Sequence, residues 1–143
     1  MSDILGKYIA LADWKIASIL MDEYYCTAVA DLETKAIRTV KDNLKEIAAG
    51  EKDACEKLMY ALILSGLAMQ MTGNSRPASG AEHHMVHLWD MEVVNGHLDA
   101  LHGEKVSAAT MLVLLEYKKL ADAIRRGACR VHAFTDGDTE LLQ

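Results

Sequence analysis

DACEKLMYALILSGLAMQM, residues 53–71, makes up most of the least charged stretch of this sequence, residues 58–75. Apolar side chains fall on nearly every face of the helix it predicts, so its pattern is that of the central, buried helix of a helical domain. Asp53 with Glu56 resembles a capping arrangement at its start. A membrane span is excluded, because Ser65, Gly66, Gln70, Thr72, Gly73 and Asn74 leave an apolar run too short to cross a bilayer.

Upstream, Ile37, Val40, Leu44 and Ile47 recur at helical spacing with Lys and Asp between them, and Gly50 closes that segment. Residues 3–21 carry a stripe of Leu5, Ile9, Ala12, Ile16 and Ile19, again with a period close to that of a helix. Downstream, TGNSRPASG, residues 72–80, holds the only proline and reads as a loop. A helix over 81–91, a break at Asn95–Gly96 and a long helix over 103–126 ending at Gly127 follow. The tail CRVHAFTDGDTELLQ, residues 129–143, has weak pattern and a turn at Asp136–Gly137. The expected fold class is all-α, a multi-helix bundle.

Composition supports this. The chain has 143 residues, 51% of them apolar, 25% charged and 6% aromatic, with one proline. That is enough for a single globular domain with its own core, and too apolar for a disordered chain. A net charge of -6 argues against nucleic acid, whose binders need surplus Lys and Arg. Cys26, Cys55 and Cys129 form no CxxC and read as reduced, mostly buried thiols of a cytoplasmic protein. MSDILGKY has no apolar run, so no signal peptide is expected. The eight methionines fall mostly on apolar helical faces, where core filling is expected.

Five of the six histidines lie between His83 and His102. His83 and His87, four residues apart, share one helix face. Two readings stand: a metal site completed by a carboxylate, or a polar face with solvent-exposed or capping imidazoles. His102 equally suits a helix start, while His84 and His97 read as surface residues and His132 as unrelated. No Glu-x-x-His, HExxH, GxGxxG, P-loop or GxSxG is present, which removes the di-iron, zincin, nucleotide-cradle and serine-hydrolase readings.

Three segments narrow the choice. SRPASGAEHHMVH (75–87) and LHGEKV (101–106) resemble the two histidine motifs of the iron-containing alcohol dehydrogenase superfamily, and SDILGKYIALADWK (2–15) is similar to the segment carrying its acidic ligand. The first motif is closest to the sn-glycerol-1-phosphate dehydrogenase branch. The resemblance implies the helical C-terminal domain that this superfamily shares with dehydroquinate synthase. It implies Asp3, His83 and His102 as metal ligands, with Zn2+ expected and Fe2+ or Ni2+ as alternatives. It implies His87 as the catalytic residue beside the substrate. The implied reaction is NAD(P)H-dependent reduction of dihydroxyacetone phosphate to sn-glycerol 1-phosphate, with the metal polarising the ketone.

Only Met1 and Ser2 precede Asp3, so the resemblance further implies that the nucleotide-binding domain and the last C-terminal helices lie outside residues 1–143, and that this chain alone is inactive. Cofactor-binding residues are not assigned. Two alternatives remain: glycerol dehydrogenase or another polyol dehydrogenase of the superfamily, and a non-catalytic helical interaction module. The synthase ranks low, because PASGAEHH differs from its motif. A former domain interface would favour a homo-oligomer; neither nucleic acid nor membrane is an expected partner.

Overall fold

The structure, a computed structural model, describes residues 1–91 and 99–128. Six helices occupy them: α1 (Ser2–Met21), α2 (Thr27–Asp42), α3 (Leu44–Ala48), α4 (Lys52–Thr72), α5 (Ala81–Asp90) and α6 (His102–Arg125). No strand occurs among the described residues, as the sequence led us to expect. None of these helices is long and apolar enough to cross a membrane.

α1 is the shared wall. It packs on α2 on one side and on α5 and α6 on the other, while α4 lies on α2. The Trp14 side chain is fully buried among Leu11, Val29, Ala30, Ile37 and Ala68, and its indole N–H donates to the Tyr24 carbonyl at 2.7 Å. A second cluster joins Ile4 to Ala36, Val40 and Ala61, and a third joins Val86 on α5 to Val106 and Ala109 on α6. α1 and α6 approach closely at Gly6, where a Cβ would lie 3.0 Å from Val106 Cγ1.

Several expectations change. α4 is not the central helix. It buries only Ala54, Ala61, Ser65 and Ala68, a stripe of small residues that lets α2 come close, and turns Met59, Tyr60, Ile63, Leu67 and Met71 outward. α4 starts after Glu51 with no side-chain cap, so Asp53 and Glu56 do not form the expected capping arrangement. The buried face of α1 is rotated from the expected stripe. Ile4, Lys7, Leu11 and Trp14 point inward with Ile9 and Ala10, whereas Ile16 and Ile19 are exposed, because α1 serves neighbours on two sides.

The segment expected to run unbroken to Gly50 breaks at Asn43, whose side-chain amide donates to the Thr39 carbonyl at 2.7 Å. Leu44 and Ile47 still pack against the second cluster. Cys55 is exposed and Cys26 half-buried, so the two described thiols are not core residues. The methionines do not fill the core: Met1, Met21, Met59, Met71, Met91 and Met111 are exposed, and Met69 and Met85 half-buried. Cys129, His97, His132 and the expected turns at Asn95–Gly96 and Asp136–Gly137 lie outside the described residues.

Candidate metal centre

Three first turns carry the expected ligands. Asp3 is in the first turn of α1, His83 in the first turn of α5, and His102 opens α6. Each helix start has a local cause. Ile4, fully buried, anchors the start of α1. Asp13 on α1 accepts the Ala81 N–H at 2.6 Å and the Tyr117 hydroxyl proton, tying the beginning of α5 and the middle of α6 to α1. Glu104, of the HGE motif, accepts the Leu101 N–H at 2.8 Å and so caps α6.

The folded chain brings Asp3, His83 and His102 together, with one donor atom from each lying within 4.8 Å of the others. Asp3 Oδ1 is 3.3 Å from His83 Nε2 and 3.5 Å from His102 Nε2. The other Asp3 oxygen is 3.4 Å from Lys7 Nζ, and Lys7 also donates to the Ala78 carbonyl at 3.4 Å. Asp3 is therefore held from two sides despite its place near the chain start. His83 is buried and His102 half-exposed, so the group opens toward solvent on the α6 side.

His87 sits one turn beyond His83, exposed, with ring centroids 6.4 Å apart, and is not in the donor group. His84 is exposed, as expected. Near the rim, Asp90 at the end of α5 pairs with Lys105 in α6 at 2.7 Å.

The electrostatics fit a cation. Hydrogen bonding to His83, helped by Lys7 and opposed by burial, holds the Asp3 carboxyl well below the usual carboxylate range. The same bond and a second one to Glu82 push the His83 imidazole up to about 9 against the opposing effect of burial. The imidazolium thus supplies positive charge between two carboxylates. A divalent metal would supply that complement with a larger charge, in place of the proton. Two imidazoles with one carboxylate suit Zn, Fe(II) or Ni, and three protein ligands would leave one coordination position open.

Sequence reasoning missed the supporting residues. Glu82, fully buried, places Oε1 2.7 Å from His83 Nδ1 and accepts the Gly80 N–H at 3.1 Å. Its position beside a histidine in AEHH was visible, but adjacent helix residues do not normally face each other. Lys7 stands at i+4 from Asp3, a spacing that could have flagged the pair, whereas Asp13 and Asp90 act across elements and leave no periodic signal.

No protein-family profile matches the chain. Known proteins do. A glycerol-1-phosphate dehydrogenase (NAD(P)+) of Halalkalibacterium halodurans is 44% identical over 120 residues, covering 83% of this chain and 30% of that protein. The enzyme of the same name from Geobacillus thermodenitrificans is 39% identical, covering 99% of this chain and 38% of its own length. That of Pyrococcus horikoshii is 35% identical over 147 residues, covering 99% of this chain and 42% of its own. The chain thus spans between 30% and 42% of the length of these relatives, matching their C-terminal portion. A helical chain with these relatives is a member of the iron-containing alcohol dehydrogenase superfamily. Within that class, the chain belongs to the glycerol-1-phosphate dehydrogenase family.

Proposed function

We propose that residues 1–143 form a single helical metal-binding domain of an NAD(P)-dependent glycerol-1-phosphate dehydrogenase. The observation that carries this reading is the convergence of Asp3, His83 and His102, brought from three helices to within 4.8 Å. The reaction is dihydroxyacetone phosphate plus NAD(P)H and a proton giving sn-glycerol 1-phosphate and NAD(P)+. Asp3, His83 and His102 hold the metal, with Zn2+ favoured over Fe2+ or Ni2+. When bound, the metal polarises the ketone toward hydride addition. His87, on the solvent side of His83, supplies the proton that the new hydroxyl requires. Free thiols at Cys26 and Cys55 suit a reducing, cytoplasmic setting.

The decisive experiment joins this chain to the remaining portion of the H. halodurans relative and assays dihydroxyacetone phosphate reduction beside glycerol oxidation. Reduction with bound metal, lost in His87→Ala while metal is retained, is the expected result. Glycerol oxidation alone would point to the polyol dehydrogenase alternative. The outward apolar side chains of α4 and α6 favour a second reading, a helical docking module. A folded, metal-loaded but inactive chimera would support that module.

A further inference from the structure

We infer that Glu82 is a positioning residue that fixes the ring orientation and tautomer of His83, so that His83 Nε2 faces the Asp3 carboxylate as a metal donor. The inference rests on the metal-site reading above and concerns a residue that touches neither metal nor substrate.

Glu82 is fully buried, and a carboxylate withdrawn from water is costly unless its oxygens are used. Oε1 is used twice, at 2.7 Å from His83 Nδ1 and at 3.1 Å from the Gly80 N–H. Oε2 has no hydrogen-bond partner among the described residues. A structural cap for α5 needs only the Gly80 contact, and an apolar side chain would fill the same space without an orphaned oxygen. What the carboxylate adds is an acceptor for the imidazole.

The backbone is shaped for that contact. At Gly80 a Cβ would lie 2.9 Å from Glu82 Oε2, 2.7 Å from Ala10 Cα and 2.5 Å from Asp13 Oδ2. The absence of a side chain lets the loop sit against α1 and lets Glu82 fold back toward the start of its own helix. An acceptor at Nδ1 keeps a proton there, so that when the imidazolium gives up one proton it is the Nε2 lone pair, 3.3 Å from Asp3 Oδ1, that becomes free. Carboxylate–histidine pairs of this kind orient ligating imidazoles and raise their basicity.

The test uses the full chain, stripped of metal and labelled with 15N. Ring-nitrogen NMR at alkaline pH, where the imidazole is neutral, reads the His83 tautomer, and competition with a chromophoric chelator reads zinc affinity. The wild-type chain is expected to carry its His83 proton on Nδ1. Glu82→Leu, with unchanged helicity, is expected to show both tautomers and to bind zinc about 10- to 100-fold more weakly. Glu82→Gln, whose amide oxygen accepts the same bond, should restore the single tautomer and most of the affinity. A folded Glu82→Leu chain with wild-type tautomer and zinc affinity overturns the inference. If Glu82→Leu does not fold, the wild-type spectrum decides: a proton on Nδ1 supports the role, and a proton on Nε2 or a mixture overturns it. Failure of the wild-type chain to bind zinc would overturn the metal-site reading alone, because the tautomer comparison needs no metal.

Discussion

The two sides of α1 are built on different principles. Toward α2 and α4 the contacts are mainly apolar: Leu11 and Trp14 meet Val29, Ala30 and Ile37, with the small residues of α4 behind them. Glu33 is the exception, fully buried, and burial pushes its carboxyl up. Toward α5 and α6 the buried apolar cluster among the described residues is small, Val86, Val106 and Ala109 with Met85 and Trp89 packed against it, and polar side chains do much of the joining. Asp3, Lys7 and Asp13 on α1 reach His83, the Ala78 carbonyl, Ala81 and Tyr117. One face holds the bundle together without directional demands. The other fixes angles and distances, which is what a coordination site requires.

The contrast can be broken most forcefully at the polar face. His83→Ala or His102→Ala is expected to abolish stoichiometric zinc in the purified chain, read by mass spectrometry, with the helical content kept; retained metal in either variant would remove that residue from the ligand set. On the apolar face, Trp14→Ala should lower unfolding free energy by about 3–5 kcal/mol in urea titrations without changing zinc stoichiometry in the folded chain. A loss of zinc there would show that the two faces are not separable.

Gly80→Ala tests the seam between them. Its Cβ would meet Ala10 Cα at 2.7 Å, so overpacking by about 1–3 kcal/mol is expected, together with weaker zinc binding. Wild-type stability and affinity would mean that the loop moves aside freely.

A gentler probe is pH. The His83 pKa is raised from 6.5 to about 9, so its contribution to metal-free stability is full below 6.5 and is lost as pH climbs through 9. Asp3 is shifted the other way, so its contribution is present above 3.8 and lost as pH falls below that. Thermal melts should show Tm of the metal-free chain declining from neutral to alkaline pH, and zinc should flatten the decline. An identical decline with and without zinc would separate His83 from the metal. Smallest of all, Ile63→Ser on the outward face of α4 should change stability by no more than about 0.5 kcal/mol. A larger loss would place that face in a core or an interface.

These particulars also show what a sequence can disclose. Helix existence was legible because Gly50, the loop at 72–80 and Gly127 interrupt regular apolar periods. The convergence of Asp3, His83 and His102 came from motif resemblance, since spacing alone offered only the pair His83 and His87. Burial was the weak point. Periodicity counts apolar residues, but the packing face of α4 is set by Ala54, Ala61 and Ala68, which let α2 approach, and not by Ile63 or Leu67. Glu82 stayed hidden because its contact with the next residue depends on a fold-back that Gly80 permits, and no helical period encodes it.

The three proposed ligands also share a position within their helices: Asp3, His83 and His102 all lie in first turns, on α1, α5 and α6. A helix start carries roughly half a positive charge from its aligned peptide dipoles. Three such ends meet near one small volume, and their combined field works against the attraction of the Asp3 and Glu82 carboxylates for a cation. Metal binding there would therefore lean on the full negative charge of Asp3 more than a simple count of donors suggests. The same field would suit negative charge developing on an oxygen atom held at the site.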